Sequence, residues 1–334
     1  NGDLQQAARD AVIDGLITYD NRHGWRGPEQ QHPPLEEETP EALDKRWRSA
    51  LHAMPVIADL RPAIVTELLD DGAHVLLRDG SDGFLSWRED LRRIRLYLDE
   101  DRRTGSAQAL SDLLSVGDLI RVSDKDDGLR LAQVPLVQGA LVSLDPSDGS
   151  IKALVGGMGF VLSKFNRATQ AKRQPGSNFK AFLYAAALEN GIHPATLIND
   201  APVVVGNLTD EDLWRPENDS GRFYGPTRVR EALTFSRNLV SIRVLQQLGV
   251  RKLIEMAARV GFDVNDMQPN LTLALGTHAY TPLEVASGYT AIANGGFNVE
   301  PWLIDRIEDV DGNIIYEADP LIACSACEQQ ASHD

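Results

Sequence analysis

One segment of this sequence must form a helix that is buried on every side. Residues 181–188 read Ala-Phe-Leu-Tyr-Ala-Ala-Ala-Leu, and Asn190-Gly191 supplies a C-terminal cap. A helix that is apolar nearly all round belongs inside a sizeable core. Pro175-Gly176 introduces this helix, and its predicted first turn carries a hydroxyl and an amine, those of Ser177 and Lys180. The chain must therefore fold around a helix whose entry holds two reactive groups.

The three-residue spacing of Ser177 and Lys180 puts both side chains on one face of the helix. A serine hydroxyl is a poor nucleophile until a base removes its proton. A buried lysine can serve as that base, because desolvation lowers its pKa and favours the neutral amine. The helix N-terminus also offers unpaired N–H groups to a developing oxyanion. We predict that Ser177 is a nucleophile and that Lys180 is its proton acceptor, although Ser-x-x-Lys alone is a weak motif.

A second motif, Ser236-Arg237-Asn238, lies between two predicted helices. The first helix is expected to end near Phe235, and the second to run to a stop at Gly249. Read alone, Ser-x-Asn is a common helix cap. Beside Ser-x-x-Lys it becomes the second of three motifs that mark β-lactamases and penicillin-binding proteins. We therefore expect Ser236 and Asn238 to line a cleft with Ser177 and Lys180.

These motifs belong to a longer resemblance. The stretch 139–302 resembles the transpeptidase domain of bifunctional class A penicillin-binding proteins. Residues 1–30 resemble the segment before that domain, and residues 55–135 resemble the OB-like domain that some members carry. The matching pieces of the transpeptidase domain are residues 139–146, 166–168, 174–180, 214–218, 236–238, 274–276 and 281–284.

The resemblance implies a role for each motif residue. Ser177 would form the acyl ester and Lys180 would act as base. Ser236 would relay protons to the leaving group, and Asn238 would position Lys180 and the substrate amide. The implied reaction is D,D-transpeptidation of peptidoglycan stem peptides at their D-Ala–D-Ala bond, with β-lactams acylating the same serine.

Two other functions stay open from the sequence. One is a D,D-carboxypeptidase or β-lactamase of the same fold, and the other is a non-enzymatic β-lactam sensor or scaffold. A class A β-lactamase needs a glutamate that activates the deacylating water. Glu217 lies between the two motifs, but its Trp-x-Pro-x-Asn context indicates a structural residue.

The third motif of the family, Lys-Thr-Gly or Lys-Ser-Gly, is missing from these 334 residues. We expect the domain to be incomplete at its C-terminal end and completed by a second fragment that carries this motif. The family also implies a glycosyltransferase domain and a single membrane anchor upstream. The resemblance places such a protein on the periplasmic side of the bacterial inner membrane.

The predicted fold class is α+β, with a penicillin-binding/serine-transpeptidase (β-lactamase-like) domain and a small OB-like β-barrel domain. Residues 1–54 are interpreted as a linker or N-terminal part of the transpeptidase domain, 55–137 as the OB-like domain and 138–334 as the transpeptidase portion. About five short strand-like runs indicate the barrel. Strands followed by a run of helices indicate the α+β domain. The strand-like runs are residues 64–68, 74–77, 83–87, 119–122 and 129–134.

Charge and cysteine content argue against several ligands. The formal net charge of −16 repels phosphate backbones, so we expect no nucleic-acid partner. We predict no cofactor and no metal. Cys324 and Cys327 form a lone C-x-x-C with only His333 nearby, short of the four ligands of a structural zinc site. They are interpreted as tail thiols or as a local disulfide.

Overall fold

The computed structural model describes residues 2–204 and 213–323. Cys324, Cys327 and His333 lie outside these residues. The chain divides into two compact units. The N-terminal unit comprises residues 2–141 and 155–166, and the C-terminal unit comprises residues 142–154 and the chain from 167 onward.

The N-terminal unit begins with a long helix and continues mainly as strands. Helix α2 starts where the sequence predicts: Thr39 accepts a hydrogen bond from the Ala42 N–H, and Pro40 occupies the first helical position. A 3₁₀ turn, Leu110–Asp112, precedes the last two strands. The elements are α1 (Gly2–His23), β1 (Gln30–Gln31), α2 (Pro40–Ala53), β2 (Arg61–Leu69), β3 (Gly72–Leu77), β4 (Asp82–Ser86), α3 (Glu89–Arg92), β5 (Arg95–Tyr97), β6 (Arg103–Ser106), β7 (Asp118–Lys125) and β8 (Gly128–Ala132).

Six of these strands form one antiparallel sheet, in the order β1-β7-β2-β3-β4 with β8 also pairing with β7. The five predicted strand runs are confirmed. The expected barrel is not closed by hydrogen bonds within the described residues. Strands β4 and β8 meet instead through side-chain packing, since a Cβ atom on Gly83 would lie 2.5 Å from Leu129 Cδ1. The sheet therefore curls over an apolar core that includes Ala63, Val65, Val75, Leu85, Ile120 and Val122.

The C-terminal unit begins with strands and continues mainly as helices, which confirms the α+β prediction. Its strands form three two-stranded sheets, β9 with β10, β11 with β12 and β13 with β14. The elements are β9 (Leu141–Leu144), β10 (Ile151–Val155), α4 (Arg167–Gln170), α5 (Lys180–Glu189), β11 (Leu197–Asp200), β12 (Gly225–Arg228), α6 (Val229–Thr234), α7 (Asn238–Leu248), α8 (Val250–Arg259), α9 (Pro282–Ala293), β13 (Arg306–Glu308) and β14 (Ile314–Glu317).

Helix α5 lies at the centre of the C-terminal core, as its apolar sequence predicts. Its buried side chains pack with those of α7 and α8 in one cluster. An aromatic group anchors the start of α5: Phe179 and Phe182 contact Phe262 with ring centroids 5.5 and 4.9 Å apart. Close packing of this kind holds a helix in one position. The side chains at the entry of α5 are therefore fixed by the core behind them.

A buried arginine ties the sheet of the N-terminal unit to its flanking segments. Arg121 on β7 is 1% exposed. Its guanidinium donates hydrogen bonds to both carboxylate oxygens of Glu29, at 2.7 and 3.0 Å, and to the carbonyl of Pro55. Bidentate pairing of this kind offsets the cost of removing the charge from water.

We expect Arg121→Met to lower the free energy of unfolding of the N-terminal unit by about 3 kcal/mol, because it leaves the Glu29 carboxylate and the Pro55 carbonyl without their donor. Urea titration with far-ultraviolet circular dichroism measures the change. Arg102→Met is the matched control, since the side chains of Arg102 and Asp99 are 76% and 42% exposed. That exposed pair contributes less than about 1 kcal/mol. Equal effects of the two substitutions would contradict the prediction.

Candidate active site

Ser177 lies in a tight turn at the entry of α5. The turn is a 3₁₀ segment, Gly176–Phe179, and not the first turn of the α-helix that the sequence predicts. The backbone N–H of Lys180 donates to the carbonyl of Ser177, so the two residues stay one turn apart as expected. Ser177 is exposed, and within the described residues its hydroxyl has no hydrogen-bond partner. The hydroxyl is thus open to an incoming substrate.

Lys180 is 1% exposed, and its amine is held by the second motif. Nζ donates to the carbonyl oxygen of Ser236 at 2.8 Å, to Ser236 Oγ at 3.0 Å and to Asn238 Oδ1 at 2.7 Å. Burial lowers the pKa of Lys180 to about 8. The structure therefore brings Lys180, Ser236 and Asn238 together, with Ser177 at the neighbouring turn.

The three contacts of Lys180 suit a change of protonation state. An ammonium group can donate to all three oxygens. After loss of one proton, the two remaining N–H groups can still donate hydrogen bonds to the carbonyl of Ser236 and to Asn238 Oδ1. The amine lone pair can then accept from the hydroxyl of Ser236, because a hydroxyl can either donate or accept. The contact between Lys180 and Ser236 Oγ is therefore compatible with both protonation states of the amine.

Ser236 occupies a strained backbone position. Its φ angle is +52°, in the left-handed region. Helix α6 ends there in a Schellman motif: the N–H of Ser236 donates to the Leu233 carbonyl and the N–H of Arg237 to the Ala232 carbonyl. Glycine usually fills this position, because it has no Cβ to clash. From this position Ser236 presents both its carbonyl oxygen and its hydroxyl to Lys180 Nζ.

The side-chain amide of Asn238 is oriented by the loop before β12. Its Nδ2 donates to the backbone carbonyl of Glu217 at 2.9 Å, which turns Oδ1 toward Lys180. Glu217 itself is exposed and contacts Asn238 through its carbonyl alone. This geometry agrees with the structural interpretation of Glu217.

Asn218 and Asp200 support this loop, and sequence reasoning did not assign them a role. Asp200 is 0% exposed, and Asn218 Nδ2 donates to its two carboxylate oxygens at 2.8 and 3.0 Å. The same amide donates to the Arg222 carbonyl and accepts from the N–H of Leu239 in the first turn of α7. Asn218 thereby joins the loop, β11 and α7. In the sequence, only the Trp-x-Pro-x-Asn stretch pointed to Asn218, and no pattern pointed to Asp200.

The entry turn of Ser177 is clamped from the opposite side by the segment before α9. Gly176 N–H donates to the Gly276 carbonyl at 3.2 Å. Gly276 has a φ of +67°, and a Cβ there would lie 2.2 Å from the carbonyl oxygen of Gly176. The hydroxyl of Tyr289 donates to the carbonyl of Asn178 at 2.6 Å. This close approach explains why the matching pieces include residues 274–276.

Helix α9 begins with a capping box and supports the turn that holds Ser177. Thr281 Oγ1 accepts from the Glu284 N–H, and the Glu284 carboxylate accepts from the Thr281 N–H at 2.7 Å. These two bonds form the predicted capping box. The helix then places Tyr289 against the nucleophile turn.

Residues 2–204 and 213–323 contain neither a cluster of metal-ligating side chains nor a membrane-spanning helix. None of their His, Cys, Asp and Glu side chains are grouped so as to hold a metal ion. None of their helices has both the length and the apolar character of a transmembrane segment.

A buried lysine one turn after a serine, held by a Ser-x-Asn turn, is the arrangement found in serine enzymes that β-lactams acylate. Residues 139–332 match the family model of the penicillin-binding protein transpeptidase domain, and residues 25–137 match that of the penicillin-binding protein OB-like domain. The chain belongs to the penicillin-binding protein transpeptidase family. Both predicted domain types are thus confirmed.

Several proteins similar to this chain are named penicillin-binding protein 1A. The chain is 46% identical over 319 residues to penicillin-binding protein 1A of Pseudomonas aeruginosa, covering 95% of this chain and 38% of that protein. It is 40% identical over 325 residues to penicillin-binding protein 1A of Escherichia coli, covering 97% of this chain and again 38% of the relative. The crystal structure of penicillin-binding protein 1A from Haemophilus influenzae matches with a TM-score of 0.83 at 35% identity, over 96% of this chain and 45% of that one. The chain thus spans less than half the length of these relatives.

The left-handed conformation of Ser236 can be separated from its chemistry. We expect Ser236→Gly to be more stable than Ser236→Ala by about 1 kcal/mol, because alanine keeps the Cβ clash that glycine removes. Both variants lose the hydroxyl, so both should lose acylation to a similar degree. Urea unfolding and labelling with fluorescent penicillin measure the two quantities. Equal stability of the two variants would show that the backbone at residue 236 is unstrained.

Proposed function

We propose that this chain provides the nucleophile, the base and the Ser-x-Asn wall of a D,D-transpeptidase. Its acyl donor is a peptidoglycan stem peptide ending in D-Ala–D-Ala, and β-lactams acylate the same serine. The observation that carries the proposal is the buried amine of Lys180, bonded to Ser236 and Asn238 one turn from the exposed Ser177.

In the first step Ser177 Oγ attacks the carbonyl carbon of the D-Ala–D-Ala bond, and its proton passes to the neutral amine of Lys180. The tetrahedral intermediate then collapses with cleavage of the C–N bond. The proton on Lys180 reaches the departing amine through Ser236, so D-Ala leaves as a neutral amine and an acyl ester remains on Ser177. The acceptor amine attacks this ester, forms the new amide and returns a proton to Ser177.

The backbone N–H of Ser177 is one candidate donor for the oxyanion. It lies at the start of the 3₁₀ turn and has no carbonyl partner within the described residues. Such orphan donors are already oriented before the reaction and stabilise charge as it develops. In this family a second donor comes from the strand that carries the third motif.

A β-lactam follows the same first step with a different outcome. The amide that breaks lies within the ring, so the departing amine stays tethered to the acyl group and obstructs the acceptor. The acyl ester on Ser177 therefore persists. Fast deacylation would require an activated water, and Glu217 contacts the site through its carbonyl only. The geometry around Glu217 thus favours the transpeptidase over the β-lactamase.

We propose that a segment carrying Lys-Thr-Gly forms the third wall of the cleft. The hairpin of β13 and β14 is exposed along both strands and pairs with no other described strand. A large exposed apolar surface marks an interaction site. The apolar side chains exposed on and beside the hairpin are Leu303, Ile304, Ile307, Val310, Ile314, Ile315, Leu321 and Ile322. We infer that the segment with the third motif packs on this surface.

The activities of a longer protein remain proposals. The curated relatives extend well beyond the matched region, which is 38% of their length. A glycosyltransferase domain, a single membrane anchor and a position on the periplasmic side of the inner membrane are proposed from these relatives.

Mapping the penicillin adduct tests the proposed function. We expect fluorescent penicillin to label Ser177, and expect the yield to rise when a segment with the Lys-Thr-Gly motif is co-expressed, because that segment supplies the second oxyanion donor. Peptide mapping by mass spectrometry identifies the labelled residue. Ser150→Ala serves as control, since Ser150 belongs to neither of the two sequence motifs. A label on any residue other than Ser177 would overturn the proposal.

The pKa of Lys180 predicts how acylation depends on pH. Because burial lowers this pKa to about 8, the neutral base is scarce below pH 8 and dominant above it. The second-order rate constant for acylation should rise about tenfold between pH 6 and pH 7 and level off above about pH 9. Stopped-flow measurement with benzylpenicillin gives the profile. A profile that is flat from pH 6 to 9 would exclude Lys180 as the base; Lys180→Arg should react very slowly, since a guanidinium stays charged.

A further inference from the structure

One cation beside the candidate active site is held by aromatic rings. The guanidinium carbon of Arg237 lies 3.4 Å from the ring centroid of Tyr224 and 5.3 Å from that of Phe235. Both rings are open to solvent, with Tyr224 44% and Phe235 64% exposed. We call these three residues the Arg237 platform. Stacking fixes the face of the guanidinium, and the N–H edges of a stacked guanidinium can still form a bidentate contact.

The platform has no carboxylate partner of its own. Within the described residues, no Asp or Glu side chain lies within ion-pair distance of Arg237, although many other arginines of the chain have such a partner. This occurs in a protein whose formal net charge is −16. An arginine that is oriented by aromatic rings and lacks a carboxylate is suited to bind one from a ligand.

The platform is continuous with the catalytic wall. Arg237 stands between Ser236 and Asn238 in the second motif. Both ends of the loop 217–224 contact this motif. The Glu217 carbonyl accepts a hydrogen bond from Asn238, and the ring of Tyr224 stacks on Arg237.

The hydroxyl of Tyr224 holds the ring in place by donating to Ser220 Oγ at 3.2 Å. The pKa of Tyr224 lies below its ordinary value, first because of the bond to Ser220 and then because of the Arg237 guanidinium. The rings and the cation therefore form a built surface, and Arg237 is not a freely rotating side chain.

We propose that the Arg237 platform is a subsite for a carboxylate on the acyl side of the bond that Ser177 attacks. The proposal rests on the proposed function and specifies its substrate as an acyl donor with an anionic side group. If Asn238 binds the amide next to the reacting carbonyl, as proposed for the family's second motif, the adjacent Arg237 faces the part of the donor beyond that amide. The terminal carboxylate of the donor lies on the leaving-group side of the bond, so it is distinct from the carboxylate that the Arg237 platform would bind.

Two β-lactams that share the same ring system test this inference. The experiment uses the full-length protein. Benzylpenicillin and carbenicillin differ by one carboxylate on the acyl side chain. Their second-order rate constants for acylation of Ser177 are measured by competition with fluorescent penicillin. We expect Arg237→Met to lower the carbenicillin-to-benzylpenicillin ratio about tenfold, as expected for loss of a charge-assisted bond worth about 1.4 kcal/mol. The readout is the ratio of the two rate constants and not either rate alone, because Arg237 belongs to the second motif.

Matched variants separate a specific contact from a change in net charge. Arg230→Met removes the same charge from an exposed position on α6 and should leave the ratio unchanged. Arg237→Lys keeps the charge without the planar fork and should give an intermediate ratio. In the unsubstituted protein the ratio should fall as salt is raised, since salt screens exposed charges.

The outcomes are distinguishable. An unchanged carbenicillin-to-benzylpenicillin ratio in Arg237→Met would overturn the subsite. If both rate constants fall equally, the ratio is also unchanged, and Arg237 then only supports the turn. A fall in the ratio of the same size in Arg230→Met would also overturn the subsite. If neither compound acylates Ser177 in the unsubstituted protein, the proposed function fails and the subsite fails with it.

Discussion

The burial of the Lys180 amine is the constraint on which the rest of the candidate site depends. An ammonium group that is almost fully removed from water is costly unless every N–H finds an acceptor. The second motif supplies three, two from Ser236 and one from Asn238. Because the same burial lowers the lysine pKa to about 8, the group stays close to the point where it can exchange a proton. Stability and reactivity are thus set by one arrangement.

The surrounding elements keep that arrangement in place from several directions. The Schellman ending of α6 presents both the carbonyl and the hydroxyl of Ser236 to the amine. Asn218 and the buried Asp200 hold the loop whose Glu217 carbonyl orients Asn238. On the other side, the contact of Gly176 with Gly276 fixes the turn of Ser177. Each group is determined by contacts outside its own motif, which is how a preorganised site is maintained.

Two surfaces of the C-terminal unit differ in what they are suited to bind. The exposed apolar side chains of the β13–β14 hairpin suit another segment of protein, since burial of apolar area drives such packing. The Arg237 platform combines a cation with two aromatic rings and suits a small anionic group. The first surface is the one proposed to contact a segment with the third motif. The second is the one proposed as a subsite for the acyl donor.

Sequence patterns alone predict many of the elements and the identity of the chemical groups. The apolar run after Lys180 predicted a buried helix correctly, because such a signal depends on residues a few positions apart. The pairing of Ser-x-x-Lys with Ser-x-Asn identified the class of site. The OB-like domain is confirmed, but hydrogen bonds do not close its barrel within the described residues. Strands β4 and β8 meet through the packing of Leu129 against Gly83, a contact between residues distant in sequence.

How those groups act together depends on contacts that form only in the folded chain. Nothing local to Asp200 indicates that it is buried beneath the second motif, and nothing local to Glu217 indicates that its carbonyl, and not its carboxylate, orients Asn238. The left-handed angle of Ser236 and the stacking of Arg237 on Tyr224 likewise follow from packing. A sequence specifies which donors and acceptors are present, but their partners are chosen by long-range contacts that bring distant segments within hydrogen-bond distance.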